Sequence, residues 1–251
     1  MSDLSNISNA SNRSFERLSS GKRINRAADG AAELAISEGM TAQTNGLNVG
    51  ADNISNARNL LNISDGALGS IHSSLQRMRE LAVQASNGTL TASDRESMQW
   101  EVDQLKQEIA SVAKNTNYNT KNLLDGSFSE LSVETGSGTK NISLTNASLE
   151  ALGIKDFDVT GKFSLKTLDD AISKVSSARS KAGAQYNALE HAYNYNRNAA
   201  ENLTSANSRL VDLDYAKEVT EKNKQNILMQ YALFAQKQKI NQERNKLDIL
   251  H

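Results

Sequence analysis

Apolar residues recur every seven positions along three stretches of the chain. In the first, Leu47, Ile54, Leu61, Leu68 and Leu75 are each followed three residues later by Gly50, Ala57, Ser64, Ile71 and Met78. This a/d seam predicts one long helix, from about 33 to 86, with a narrow apolar stripe. Small residues at its first three d positions would let a neighbouring helix approach closely. A second seam runs through Leu168, Val175, Ala182, Leu189, Asn196, Leu203 and Leu210, with Ala171, Ala178, Ala192, Ala199 and Ala206 at d positions. A third, shorter one is Met98, Val102, Leu105, Ile109 and Val112. Helices with such stripes pack on one another. The expected fold is mainly α: an elongated, antiparallel, coiled-coil-like helical bundle with a small β-hairpin region.

Punctuation sets the boundaries. Asn87-Gly88 closes the first helix, with Gly88 suited to a left-handed C-terminal residue. Ser93, with Glu96 three residues on, reads as a capping box opening the second helix, which ends within 115–122. Ser127 to Glu134 alternates, Gly136-Ser137-Gly138 turns the chain, and Asn141 to Leu144 alternates again, a β-hairpin. A helical pattern then runs from near Ser164 to the end. A helix spanning 33–86 would be about 80 Å long, so the expected molecule is a rod. The tail beyond 215 lacks a long N-terminal partner. Residues 1–15 and 215–251 are therefore expected to order only in an assembly or on a chaperone, because unpacked helices are marginal in water.

Composition narrows the chemistry. The 251 residues include no Pro and no Cys. Missing Pro suits uninterrupted helices. Missing Cys excludes disulfides, thiolate zinc sites and a thiol nucleophile. The net charge of −1 gives no global attraction to nucleic acid. The small basic group Lys22, Arg23 and Arg26 is offset by Asp29. No apolar run approaches the roughly 20 residues that span a bilayer. The N-terminus carries neither a basic region nor an apolar core, so no cleaved signal peptide is expected. His72, His191 and His251 have no metal-site spacing and read as surface residues. Gly136-Ser137-Gly138-Thr139-Lys140 lacks P-loop spacing and reads as a hairpin turn. Neither enzyme activity nor a cofactor or metal is expected.

At Glu16-Arg17-Leu18-Ser19-Ser20-Gly21-Lys22-Arg23-Ile24-Asn25 the chain resembles bacterial flagellin. The match continues through Ala27 to Ser37, Asp65-Gly66-Ala67-Leu68 and Leu75-Gln76-Arg77-Met78-Arg79-Glu80-Leu81-Ala82-Val83-Gln84. It resumes at Tyr118 to Gly126, at Glu201 to Leu210 and at Asp214-Tyr215-Ala216-Lys217-Glu218-Val219. The resemblance implies N- and C-terminal arms that pair into a helical rod and self-assemble into the filament used for motility. It implies a shortened N-terminal arm at 1–32, rod helices at 33–125, a hairpin region at 126–165, a C-terminal rod helix at 166–214 and a C-terminal arm at 215–251. The family's central variable domain is almost absent, with room in 126–165 only for the hairpin. Fifteen residues precede the first motif, Gly30 and Glu33 replace an expected Asp and Gly, and the last residues lack the family's proline-containing finish.

The resemblance also implies partners. These are other copies of the chain, a flagellar export chaperone, hook-associated and cap proteins, and the flagellin-sensing Toll-like receptor of vertebrate hosts. Neither nucleic acid nor a membrane is among them. Export would deliver the chain to the extracellular flagellum. Receptor contacts map onto Leu75, Gln76, Arg77, Arg79, Glu80, Leu81 and Gln84, with Glu101 on the next helix. Arg77 and Leu81, four apart, would share one helical face. Chaperone contacts map onto Ile227, Leu228, Tyr231 and Phe234, whose exposed apolar surface suits helix-in-groove binding. The alternative is a related hook–filament junction protein or a secreted, non-polymerising helical protein. A metallopeptidase on the same scaffold would need ligand motifs that the sequence lacks.

Overall fold

A computed structural model describes residues 2–248. Eleven elements follow one another: α1 (Ser2–Ser20), a 3-10 turn (Ala27–Asp29), α2 (Ala31–Ala85), α3 (Ala92–Asn115), β1 (Asn117–Tyr118), β2 (Lys121–Asn122), β3 (Glu130–Glu134), β4 (Thr139–Ser143), α4 (Leu149–Leu152), α5 (Leu165–Val211) and α6 (Tyr215–Asp248). They form two compact units. One comprises Gly46–Ala199; the other takes the described residues up to Asn45 and from Ala200 onward.

In the unit Gly46–Ala199 the heptad seams are the core. All ten seam positions of α2 from Leu47 to Met78 are buried, Gly50 and Ser64 included. The later ones, Leu68, Ile71, Leu75 and Met78, form one apolar cluster with Leu168, Ala171, Val175 and Ala178 of α5 and Val102 and Ile109 of α3. The connection from β4 to α5 holds more than the expected hairpin. Helix α4 and the coil after it send Leu152, Ile154, Phe157 and Val159 into the same cluster. The helix α4 ends on Gly153 in the left-handed conformation, φ 79°. A second small hairpin, β1–β2, precedes this region, with Asn119 and Thr120 at positive φ in its turn.

The β3–β4 hairpin is antiparallel, pairing Leu131 with Ile142 and Val133 with Lys140. Val133 and Ile142 pack on Ile54, Ala57 and Leu61 of α2 and on Ala182 and Leu189 of α5. The hairpin tip lies against the α2 backbone. A Cβ on Gly50 would fall 2.0 Å from the Thr135 carbonyl oxygen, and one on Gly136 would fall 2.3 Å from that of Gly46. Asn196, fully buried at an a position of α5, donates to the Thr135 carbonyl at 2.5 Å and to the Leu47 carbonyl at 3.4 Å. At Gly50, then, the small d position admits a hairpin tip rather than the helix expected there.

Three boundaries differ from the sequence reading. Thr91, not Ser93, caps α3. Its hydroxyl accepts from the Asp94 amide at 3.2 Å, and the Asp94 carboxylate accepts from the Thr91 amide at 3.0 Å and hydroxyl at 2.7 Å. A Thr and an Asp serve the same geometry two residues earlier. Gly88 is not left-handed; α2 ends at Ala85 and turns through Asn87 N–H donating to the Gln84 carbonyl at 3.0 Å. The C-terminal helical run is broken between Val211 and Tyr215.

The second unit is built around that break. Gly21, at φ 69°, ends α1. The Arg23 amide donates to Val211 at 2.7 Å, and the Leu213 amide donates to Gly21 at 3.0 Å. Helices α1 and α6 run antiparallel. The Tyr215 hydroxyl donates to the Leu18 carbonyl at 2.6 Å, and the Ser14 hydroxyl donates to Gln225 at 3.2 Å. Arg17 lies 4.0 Å from Glu218. The tail thus has an N-terminal partner, correcting the expectation that 1–15 is too short to supply one. The end of the expected C-terminal arm, residues 249–251 with His251, lies outside the described residues.

Candidate interaction surfaces

One surface is formed where α2 faces α3. The Arg77 guanidinium donates from Nε to Glu101 at 2.7 Å and from Nη1 to Glu80 at 3.1 Å. The hydrogen bond to Glu101, then that to Glu80, raises its pKa further above the usual arginine range. These exposed pairs add little stability. Their effect is to fix a planar fork on the surface, the geometry that makes Arg a good interface anchor. Arg79 reaches the other way, donating to Asp169 of α5 at 2.6 Å. Gln76 lies 3.0 Å from His72 Nε2, one helical turn before it. Glu80 and Gln84 are exposed.

Leu75 and Leu81 do not belong to this surface. They are 0% and 2% exposed and sit in the core with Met78 and Val102. Leu75 occupies an a position, so the seam itself directs it inward. Leu81 lies beside Ala82 and Ala85, the next a and d positions, and is covered with them. The pairing of Arg77 and Leu81 on one accessible face is therefore corrected: the accessible set is Gln76, Arg77, Arg79, Glu80 and Gln84, with half-buried Glu101.

Trp100 is 75% exposed and adjoins Glu101. It borders a groove of about 430 Å³ with Glu96, Asp103 and Thr160. The signal for it was legible, since Trp100 falls between the inward positions Met98 and Val102.

The second surface is on α6. The face toward α1 carries the half-buried Glu218, Lys222, Gln225, Met229 and Ala232. Ile227, Tyr231 and Phe234 lie on the opposite face, with Leu228 on its flank; all four are exposed, Tyr231 to 71%. The structure thus brings the four tail residues together on one unpartnered apolar strip.

The cavities offer no comparable chemistry. One of about 600 Å³ is lined by Glu150, Lys155, Asp158 and Lys162. Its charges are largely answered within the loop. Lys155 donates to Glu150 at 2.5 Å, and Asp158 accepts from the Thr160 amide and hydroxyl. Among the described residues no cluster of three or more His, Asp or Glu is placed to hold a metal, and no helix is long and apolar enough to cross a membrane.

Two family descriptions match, the bacterial flagellin N-terminal helical region over residues 1–129 and the bacterial flagellin C-terminal helical region over residues 165–247. The flagellin of Bacillus subtilis (strain 168) is 39% identical, over 98% of this chain and 95% of its own. The flagellar filament 33 kDa core protein of Treponema phagedenis is 36% identical over 90% and 87%. Bacillus cereus flagellin superposes with a TM-score of 0.52 at 33% identity, covering 58% of this chain and 88% of that one. A putative flagellar hook-associated protein of Vibrio parahaemolyticus has the same fold, with a TM-score of 0.63 at 17% identity, over 73% and 100%. With both helical regions matched in order, and full-length relatives sharing more than a third of its residues, the chain belongs to the bacterial flagellins, a family of structural rather than catalytic proteins.

Proposed function

We propose that this chain is a structural subunit of the bacterial flagellar filament, exported to the cell exterior, which joins its neighbours through arms at 1–32 and 215–251. The observation that carries this reading is the apolar strip of α6. Exposed contiguous apolar surface marks interaction sites, and Ile227, Tyr231 and Phe234, with Leu228 at their side, are left uncovered by α1, the helix α6 already packs against. In the filament the strip is covered by other copies. Before assembly an export chaperone covers it, as a groove accepts an amphipathic helix. Hook-associated and cap proteins meet the same arms at the filament ends.

The rod helices at 33–125 and 166–214 carry the receptor reading. The flagellin-sensing Toll-like receptor contacts Gln76, Arg77, Arg79, Glu80, Gln84 and Glu101, with buried Leu75 and Leu81 supporting the surface from beneath. Arg77 is the anchor, a fork held by two carboxylates.

One set of proteins tests both surfaces. The full chain, a deletion of 215–251 and Arg77→Ala are examined by negative-stain microscopy and titrated against the chaperone and the receptor ectodomain. The deletion should abolish filaments and chaperone binding while keeping receptor affinity. Arg77→Ala should weaken receptor binding by about 1–3 kcal/mol, the range for an interface anchor. Full-length chain that forms no filaments at high concentration would move it to the junction or non-polymerising class. Unchanged receptor affinity would remove Arg77 from that site.

A further inference from the structure

The chain contains two Asn-Gly dipeptides, Asn45-Gly46 and Asn87-Gly88. Asn-Gly is chemically the most labile amide pair in proteins, because Gly has no side chain to hinder attack by its own nitrogen. All four residues are exposed here, so solvent access does not separate the two sites. Backbone geometry does. Asn45-Gly46 lies inside α2, where the helical ladder fixes both residues. That geometry holds the Asn side chain away from the next backbone nitrogen, and the nitrogen is occupied as a ladder donor. Asn87-Gly88 lies in the connection between α2 and α3, outside any helix or strand. There the Asn87 side-chain oxygen accepts from the Thr89 amide at 3.1 Å, which curls the side chain over the following backbone and polarises its carbonyl carbon. The Gly88 amide donates no hydrogen bond among the described residues, and the space around its Cα is open.

We propose that Asn87 is a site of spontaneous deamidation, a built-in covalent modification of the loop that joins α2 to α3. The Gly88 amide loses its proton to solvent base, and the nitrogen attacks Asn87 Cγ. The N–Cγ bond forms and the Cγ–Nδ2 bond breaks, with ammonia leaving after Nδ2 takes up a proton. Water then opens the cyclic imide. Cleavage of the N–Cγ bond gives aspartate. Cleavage of the bond between Gly88 N and the Asn87 backbone carbonyl carbon gives isoaspartate, with the chain rerouted through the side chain. No oxidant or enzyme is needed, and either product adds one negative charge. That charge falls just past the C-terminus of α2, the end where a helix dipole disfavours an anion. The chain therefore ages into a more acidic population altered at this connection, while Asn45 is spared.

The test is timed incubation of the full-length chain at neutral and mildly alkaline pH, followed by tryptic mass mapping. Asn87 falls in the peptide from Glu80 to Arg95, and Asn45 in that from Ala27 to Arg58. Asn87→Asp supplies the standard that separates aspartate from isoaspartate by retention time. Asn87 should convert faster as pH rises, with an acidic band appearing on isoelectric focusing. Conversion at Asn45 should lag by more than about tenfold, since it awaits local opening of the helix. In urea the two rates should converge, and Gly88→Ala should slow conversion at Asn87. Equal rates at the two sites in the folded chain, or faster conversion at Asn45, would overturn the proposal. So would a Gly88→Ala chain that converts at the original rate.

Discussion

At the scale of single residues, two glycines one turn apart on α2 have opposite roles. Around Gly46 the space for a Cβ is open, whereas at Gly50 the backbone carbonyl of Thr135 occupies it. Gly46→Ala removes only the helix penalty of glycine and should stabilise the chain by about 0.8 kcal/mol. Gly50→Ala forces backbone against backbone and should cost about 1–3 kcal/mol, as overpacking does, loosening the hairpin tip and its bond to Asn196. Urea denaturation of the two variants against the parent checks both signs; a stabilised Gly50→Ala chain would mean that the tip has no fixed seat on α2. The heptad marked Gly50 as inward and small but could not name its neighbour, because the hairpin comes from some 85 residues later in the sequence. Leu75 and Leu81 teach the converse. A motif placed them on a contact surface, while the seam through Leu75 already directed that residue inward.

At the scale of elements, periodicity located the helices well and local chemistry located their ends less well. The α2 seam is buried throughout from Leu47 to Met78. At the start of α3, Ser93/Glu96 and Thr91/Asp94 both fit a capping pattern, and only the backbone chooses between them. Likewise, helical patterning continues across 212–214, where the break depends on pairing with residues after α1. The Thr91 cap has a pH signature. Hydrogen bonds from the Thr91 hydroxyl, then from its amide, hold the Asp94 carboxyl below the usual carboxylate range. A depressed folded-state pKa contributes stability that is present above the unfolded value and lost as pH falls through the folded one. Thr91→Ala should therefore destabilise α3 by about 1 kcal/mol near neutrality. The difference should shrink below about pH 4, where unperturbed aspartate protonates. Amide exchange over Asp94 to Ser97 in parent and variant reads this locally; an undiminished difference in acid would show that the carboxylate takes no part in the cap.

At the scale of the whole molecule, apolar residues are distributed differently in the two units. Within Gly46–Ala199 nearly every seam residue is covered. In the other unit, among the described residues, only Ile24, Ala200 and Val211 are buried apolar side chains, while Phe15, Ile227, Leu228, Tyr231, Leu233 and Phe234 are exposed. Helical hydrogen bonds alone leave a helix marginal in water, so packing decides which segments persist. Among the described residues, the link between α1 and α6 buries no apolar side chain fully and includes polar contacts such as Ser14 with Gln225 and Tyr215 with Leu18, each a modest net contribution. Local opening should thus be frequent in α1 and α6 and rare in the seams. Hydrogen exchange on a proven monomer should show fast exchange across Ile227 to Ile240, with slow exchange across Ile54 to Ala82 and Leu168 to Leu189. Assembly should then slow the α6 amides, because the apolar strip gains the cover that α1 does not give it. Slow exchange along α6 in the monomer would mean that the α1 pairing alone suffices to hold it, leaving assembly nothing to order there.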